Sequence, residues 1–326
     1  MLSLLLLLTI SDCFPEVQFE ELFNVHEKIH ISSVANIEAT EDRIYLKDWD
    51  EYYIHKFDYS GERIRKYGLG EGRGPGEIAF GMDFALAGDH LVLLDREEYK
   101  FVVLDKDNNV IQEETLDAMP SFVDSNSDGT YLFINYFPFS HNNKLISVYK
   151  REDGEYQYQK NIIDRKAYED QFIARTGESD LFTVSDDKIV YPYFYPPKII
   201  FTEYDGKVTD RVDIELDFIE TPVHEGEYAA PVRIQGGGRE AFPMDDYLLY
   251  RAYDVRDAEE GQPWVRDLIS KLVLLNKTTL EPTCQAWAED LGFPGQIRNL
   301  YQVNENEIIA HFRDPEIGFH RITIEF

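Results

Sequence analysis

The strongest constraint on the fold is a short β unit that recurs along the chain with a fixed internal spacing. In its first copy, an alternating strand at 43–48 is followed by a second strand at 53–58 and then by a turn. A separation of 17 positions between strand and turn recurs in three copies: Ile44 and Gly61, Leu91 and Asn108, Ile189 and Gly206. Alternation of apolar residues is the period of a β-strand. Repeats of this kind bury their apolar faces only by stacking on their neighbours.

Six such units follow one another at intervals of about 40 to 55 residues, each with about four short strands. This spacing predicts an all-β chain folded as a six-bladed β-propeller with four-stranded antiparallel blades. The last unit, from Glu307 to Ile324, lacks a final strand, whereas the β-like segment 17–31 belongs to no unit. We therefore expect the N-terminal strand to complete the last blade and close the ring, because closure removes an open sheet edge.

A glycine-rich segment at 68–77 separates the first two units. It reads Gly-Leu-Gly-Glu-Gly-Arg-Gly-Pro-Gly-Glu, and so many glycines with a proline exclude a helix or a central strand. With the preceding turn at 57–64, it resembles the six-bladed, NHL-like β-propeller proteins of Bacteroidota. In that family an Asp-x-x-Gly turn of the first blade precedes a Gly-x-Gly-Pro-Gly-Glu loop. The resemblance implies an exported protein, often a lipoprotein, and supplies no catalytic residues.

The N-terminus has the pattern of an export signal. Residues 2–10 are almost wholly apolar and Cys13 follows closely, as in a lipoprotein signal. Two features depart from that pattern, because no basic residue precedes the apolar run and Asp12 stands where a small residue is usual. We expect a signal over 1–13, with Cys13 as the lipidation candidate, and a single propeller domain over 14–326. A mis-assigned start or a short buried segment is the alternative.

Charge and cysteine content limit the partners. The chain has 32 Lys and Arg against 62 Asp and Glu, a net charge of −30, which repels nucleic acid and anionic membranes. Neither is expected as a partner, and membrane contact is expected only through a lipid at Cys13. Two cysteines are too few for a disulfide framework. Cys284, beside Trp287, is expected to be a lone, packed thiol.

Two motifs match metal sites incompletely. Residues 26–30 spell His-Glu-x-x-His, a zinc pattern when it lies on a helix, but the apolar residues around it alternate and favour a strand. Residues 124–129 match the start of a calcium loop, although its twelfth position is Asn135 and not a bidentate glutamate. A β-turn is the favoured interpretation there. We therefore expect no cofactor, with calcium as the alternative.

The position of the loops gives the best functional argument. In a propeller, the loop between the second and third strands of each blade opens on the same face as the loops that join the blades. Aromatic platforms combined with arginine, histidine and carboxylates suit a sugar or a peptide, while ordinary loop packing is the alternative. The candidate ligand-binding residues on this face are Trp49, Arg73, Glu77, Arg96, His141, Tyr193, Tyr195, Trp264, Arg266 and Arg313.

The glycine-rich segment itself is not expected to hold a phosphate, because it has no Gly-Lys-Ser/Thr ending and leads into a strand. Turn geometry is its expected role, with Arg73 and Glu77 either pairing across it or contacting a ligand.

The sequence thus favours an exported, non-catalytic binding or scaffold protein of the periplasm or cell surface over an enzyme. Its loop face would meet a glycan, a peptide or an envelope protein. The alternative is a calcium-assisted hydrolase or lyase with its site in the central funnel. That alternative requires carboxylates, asparagine or histidine from the inner strands to converge on the axis, and the sequence nominates no catalytic residue.

Overall fold

The computed structural model describes residues 13–24, 34–48, 51–137, 144–164, 181–185, 187–193, 197–216, 237–257, 266–312 and 318–325. All regular structure in these ranges is β. The strands form six four-stranded sheets, which we number I to VI in chain order. No helix in the described part of the chain is long and apolar enough to cross a membrane.

The first three sheets each consist of four consecutive strands. Sheet I contains β2 (Val34–Thr40), β3 (Arg43–Asp48), β4 (Ile54–Asp58) and β5 (Arg63–Tyr67). Sheet II contains β6 (Gly81–Ala87), β7 (His90–Asp95), β8 (Lys100–Leu104) and β9 (Val110–Thr115). Sheet III contains β10 (Pro120–Ser125), β11 (Tyr131–Tyr136), β12 (Lys144–Glu152) and β13 (Glu155–Asp164).

The remaining sheets repeat this order except for the last. Sheet IV contains β14 (Thr183–Val184), β15 (Lys188–Tyr193), β16 (Lys198–Glu203) and β17 (Val208–Asp213). Sheet V contains β18 (Gly237–Pro243), β19 (Tyr247–Asp257), β20 (Arg266–Asn276) and β21 (Pro282–Trp287). Sheet VI contains β22 (Ile297–Gln302), β23 (Glu307–Phe312), β24 (Gly318–Glu325) and the N-terminal strand β1 (Glu16–Asn24).

The N-terminal strand is the fourth strand of sheet VI, where it lies beside β24. Side chains reinforce this pairing: Gln18 Nε2 donates to Glu325 Oε1 at 2.9 Å, and Arg321 Nη1 lies 3.1 Å from Glu20 Oε2. Four-stranded antiparallel units of which the last borrows a strand from the opposite terminus are the blades of a β-propeller. The predictions of an all-β class, six sheets and a closing N-terminal strand are therefore confirmed.

The chain divides into two compact units. One comprises the described residues of 22–191 and 201–210, and a core from sheets II and III lies within it, including Leu94, Phe101 and Leu132. The other comprises those of 13–21, 192–200 and 211–325, with a core from sheets V and VI that includes Leu274 and Phe312. A single domain over 14–326 stays a prediction.

The turns between the third and fourth strands are closed by a side-chain oxygen at the first turn residue. Asp58 Oδ1 accepts hydrogen bonds from the backbone N–H groups of Ser60 at 2.9 Å and Glu62 at 3.0 Å. Equivalent bonds recur in two further sheets, Asp105 with Asp107 and Asn109, and Asn276 with Thr278. In sheet IV, Asp205 inside the turn accepts from Lys207. These bonds are local in sequence, which explains why the repeated turns can be recognised without a structure.

Carboxylates also connect the first strands of successive sheets. A first strand has no ladder partner on its open side, so a buried N–H group there needs another acceptor. In sheets II to IV that acceptor is a carboxylate of the preceding sheet. The pairs of carboxylate and backbone N–H are Glu38 with Leu86 at 3.2 Å, Asp83 with Val123 at 2.8 Å, and Asp124 with Val184 at 2.9 Å.

The linking carboxyl groups of Asp83 and Asp124 have unusual acidities. Burial raises the pKa of Asp83 to about 8, although its hydrogen bonds from the backbone of Val123 and Phe84 act in the opposite direction. Burial likewise raises the pKa of Asp124 to about 7. Both groups therefore hold a proton more tightly in the folded chain than in the unfolded chain.

We expect the free energy of unfolding to carry a contribution from Asp83 that decreases between about pH 4 and pH 8. Below this range the carboxyl is protonated in both states. Within it the unfolded carboxyl ionises while the folded one resists, and above it both are ionised, so the loss is complete. Asp83→Asn should remove this contribution. Urea unfolding of both proteins across the range measures it, and parallel pH profiles would contradict it.

Sheet V contains a buried ion pair that makes further hydrogen bonds. Arg251 is 1% exposed and its Nη1 donates to Glu240 Oε2 at 2.7 Å. Its Nε donates to Ser270 Oγ at 3.0 Å, and its Nη2 donates to the backbone oxygen of Ile297 in β22 at 2.6 Å. The guanidinium group thus joins β18, β19 and β20 of sheet V to the first strand of sheet VI.

A disulfide joins Cys13 to Cys284, with the two Cα atoms 5.7 Å apart. The packed environment predicted for Cys284 is confirmed, because this residue is 5% exposed. The prediction that it is a lone thiol is wrong, since 271 residues separate the two bonded cysteines and spacing alone gave no sign of their proximity. The bond uses the sulfur of Cys13, the lipidation candidate, so the two modifications cannot coexist in one molecule.

Candidate functional site

Asp95 fixes the two loops that carry the candidate arginines. These are the glycine-rich loop (68–80), between β5 and β6, and the 96–99 turn, between β7 and β8. Asp95 is fully buried. Its Oδ2 accepts a hydrogen bond from the N–H of Ala79 at 2.7 Å, and its Oδ1 accepts from Phe80 at 3.2 Å, Glu97 at 2.9 Å and Glu98 at 3.1 Å. One carboxylate therefore sets the relative position of loop and turn.

The glycine-rich loop is held by its own carboxylate and by one from sheet II. Glu77 Oε2 accepts from the N–H of Gly74 at 2.9 Å, and the N–H of Glu77 donates to the oxygen of Gly74 at 3.1 Å. The N–H of Gly76 donates to Glu113 Oε2 at 2.5 Å. Gly76 has a φ of 74° and a Cβ there would collide with Val110, so only glycine fits. Turn geometry accounts for the position of Glu77, and its contact with a ligand stays a prediction.

Arg73 extends from this loop with 67% of its side chain exposed. It forms ion pairs with Glu97 and with Glu98, the latter at 3.1 Å between Nε and Oε1. The predicted pair between Arg73 and Glu77 is wrong, because Glu77 turns inward while the 96–99 turn supplies two carboxylates on the outside. Exposed ion pairs of this kind exchange easily with solvent or with a ligand.

Arg96 lies in the 96–99 turn and packs against sheet III. Its Cζ is 3.8 Å from the centroid of the Phe137 ring, and its Nε is 3.2 Å from Met119 Sδ. This stacked arrangement holds the guanidinium plane at a defined angle. The arginine is thus positioned for planar recognition of a carboxylate, a sugar hydroxyl pair or a peptide carbonyl.

Apolar and aromatic side chains accompany the arginines. Leu69 and Phe80 of the glycine-rich loop are 44% and 39% exposed, and Tyr99 of the neighbouring turn is 38% exposed. Tyr52, in the loop before β4, is hydrogen-bonded to Glu71; partial burial and this carboxylate raise the pKa of its hydroxyl. Arginine and aromatic side chains, which are enriched at protein interfaces, therefore occur together on these loops.

Two of the other candidate residues, Tyr193 and Arg266, lie in the described ranges and belong to the other unit. Tyr193 is buried and has Lys198 Nζ 4.4 Å from its ring centroid. Burial raises the pKa of Tyr193 to about 12 and lowers that of Lys198. Arg266 is the first residue of β20. The candidates outside the described residues are Trp49, His141, Tyr195, Trp264 and Arg313.

The structure also accounts for one of the two metal-like motifs. In the turn at 124–129, Asn126 Oδ1 accepts from the N–H of Tyr131 at 2.7 Å and Asp128 Oδ1 accepts from that of Thr130 at 2.8 Å. These oxygens close a β-turn, as the favoured interpretation predicts. The His-Glu-x-x-His motif lies outside the described residues. Within the described ranges, no group of three or more His, Cys, Asp or Glu residues is arranged to hold a metal ion.

Sequence reasoning missed Asp95. A strand that ends in aspartate before a short polar turn is a signal for the bonds to Glu97 and Glu98, which are local. No sequence pattern reveals the bonds to Ala79 and Phe80, because they depend on how the preceding loop folds back.

The chain forms six four-stranded sheets, and the N-terminal strand completes the last of them. This arrangement defines the class of protein as a six-bladed β-propeller. A family model for DUF5128, described as "6-bladed beta-propeller", matches residues 8–225, and the chain belongs to this family.

Solved structures with the same fold are distant in sequence. A Bacteroides fragilis protein named as exported has a TM-score of 0.62 at 12% identity, with 97% of each chain covered. A Bacteroides vulgatus member of the DUF4221 family has a TM-score of 0.62 at 9% identity, covering 96% of this chain and 99% of the other. Hydrazine synthase of Kuenenia stuttgartiensis has a TM-score of 0.54 at 12% identity, covering 88% and 75%. Among curated proteins, none matches the chain. These identities show a shared fold alone.

Proposed function

We propose that the protein is an exported, non-catalytic binding protein whose glycine-rich loop and 96–99 turn contact a glycan, a peptide or an envelope protein. The observation that carries this proposal is the four-bond anchor at Asp95, which holds exposed Arg73 and stacked Arg96 on fixed loops. Binding residues on loops positioned by a rigid scaffold lose little conformational freedom when a ligand binds.

Export is supported by two independent features. The N-terminal sequence has the apolar run of an export signal, and the similar Bacteroides fragilis protein is named as exported. The periplasm or the cell surface is therefore the proposed location. The net charge of −30 argues against a strongly anionic partner at long range, so the two arginines would select a ligand by contact geometry.

The proposal is tested with the purified chain on a glycan array and a peptide library, after metal analysis of the same preparation. We expect a metal-free protein that binds a ligand and releases it chemically unchanged. Turnover of the ligand, or binding that depends on a resident calcium ion, would overturn the non-catalytic assignment and favour the hydrolase or lyase alternative.

Arg73→Ala and Arg96→Ala are each expected to weaken binding of the ligand about tenfold or more, because arginine anchors are commonly worth more than 1 kcal/mol. Titration calorimetry measures the change. Arg63→Ala is the matched control. This exposed arginine lies on β5, outside both loops, and its substitution removes the same charge. If Arg63→Ala weakened binding equally, the change in net charge would explain the loss of affinity, and this would contradict the assigned binding surface.

A further inference from the structure

The segment around Cys13 is held in place by its own packing. Phe14, the next residue, is 8% exposed within the core of sheets V and VI. The ring of Phe19 lies edge-on to that of Phe293, with 4.9 Å between centroids. Together with the pairing of β1 and β24, these contacts place Cys13 next to the core that contains Cys284.

The two cysteines differ in accessibility. Cys284 lies on β21 and packs in the same core as Phe14, whereas Cys13 is exposed. Their Cα separation of 5.7 Å falls in the usual range for disulfides. Because the docked segment leaves no linker between Cys13 and the buried Phe14, the sulfur of Cys13 stays beside the edge of sheet V.

We propose that in the exported protein the Cys13 sulfur is held in a disulfide with Cys284 and carries no lipid. A thioether to a lipid would use the same sulfur valence and leave Cys284 without a partner. The disulfide instead fastens the closing strand β1 to the fourth strand of the preceding sheet. It makes the N-terminal closure covalent, across 271 residues of intervening chain.

The bond forms by exchange with a protein disulfide donor, which the oxidising compartment outside the cytoplasm supplies. The exposed Cys13 thiolate attacks the donor disulfide and gives a mixed disulfide and one donor thiolate. The Cys284 thiolate then attacks the Cys13 sulfur and displaces the second donor thiolate. The donor leaves as a dithiol that takes up the two protons released by the protein thiols.

Differential alkylation of the full chain, produced with its own N-terminus in an exporting bacterium, tests this proposal. Free thiols are blocked with iodoacetamide in acid-quenched, denatured samples, and thiols released by reduction are then labelled with N-ethylmaleimide. We expect both cysteines to carry only the second label by mass spectrometry. First label on Cys284, or a diacylglyceryl group on the Cys13 peptide, would overturn the proposal.

Cys284→Ser separates the two states of Cys13 even if it alters stability, because labelling is done on denatured protein. Under the proposal, this variant leaves Cys13 as a thiol that takes the first label. If Cys13 is lipidated instead, it stays unlabelled in the variant and the protein partitions into detergent. Cys13→Ser is the reciprocal control, in which Cys284 should take the first label.

Discussion

Arg251→Ala is expected to lower the free energy of unfolding by about 3–5 kcal/mol. The substitution removes the hydrogen bonds to Glu240, Ser270 and Ile297 and takes the guanidinium charge away from the Glu240 carboxylate, whose side chain is 7% exposed. We expect most of the cost to come from this loss of charge, because removing one member of a buried ion pair is more destabilising than replacing both by apolar groups. Urea unfolding followed by tryptophan fluorescence and circular dichroism measures the loss.

A double variant, Arg251→Met with Glu240→Leu, is the control for this explanation. It removes both charges and fills the space with apolar groups, so we expect it to recover a large part of the lost stability. If the double variant is no more stable than Arg251→Ala, the cost lies in the bonds to Ser270 and Ile297 and not in the loss of the positive charge beside Glu240.

Asp95→Ala is expected to cost about 3 kcal/mol or more, because hydrogen bonds to a charged group contribute about 1.5–3 kcal/mol each and four N–H groups lose their acceptor together. Asp95→Asn should cost less. Its amide oxygen can still accept from the Oδ1 partners, while its NH₂ group faces the N–H of Ala79 and cannot accept from it. Thermal and urea unfolding of the unsubstituted protein, Asp95→Asn and Asp95→Ala give the order of their stabilities.

The same variants distinguish a scaffold from a binding surface. Asp95→Ala should weaken ligand binding even where the protein is fully folded, because the glycine-rich loop and the 96–99 turn lose their common anchor. Arg251→Ala lies in the other unit and should leave the affinity of the folded fraction unchanged. Equal affinity losses in both variants would mean that binding follows global stability and not loop position.

Most of the fold is predictable from sequence because its signals are local. Alternation marks the strands, and the side-chain oxygens of Asp58 and Asp105 close turns within four residues of themselves. The missing last strand and the unassigned N-terminal segment together predict the pairing of β1 with β24. The disulfide, the Arg251 network and the links from Asp83 and Asp124 depend on residues far apart in the chain, and no local pattern encodes them.

The candidate surface is predictable only in part. The sequence places Arg73 and Arg96 on loops of one face, and the structure gives both a defined environment in the unit that contains sheets I to III. The sequence does not reveal that Glu77 bonds to its own loop or that Tyr193 lies beneath Lys198, because each outcome depends on a competing partner.

The pairing of β1 with β24 in sheet VI has a consequence for the timing of folding. Gln18 and Glu325 are bonded across 307 residues, and the N-terminal strand is synthesised first. At a synthesis rate of about 5–20 residues per second, β1 would wait roughly 15–60 s before β24 exists. During this interval the strand has an apolar face and no neighbour in its sheet, which leaves it open to pairing with other strands or chains.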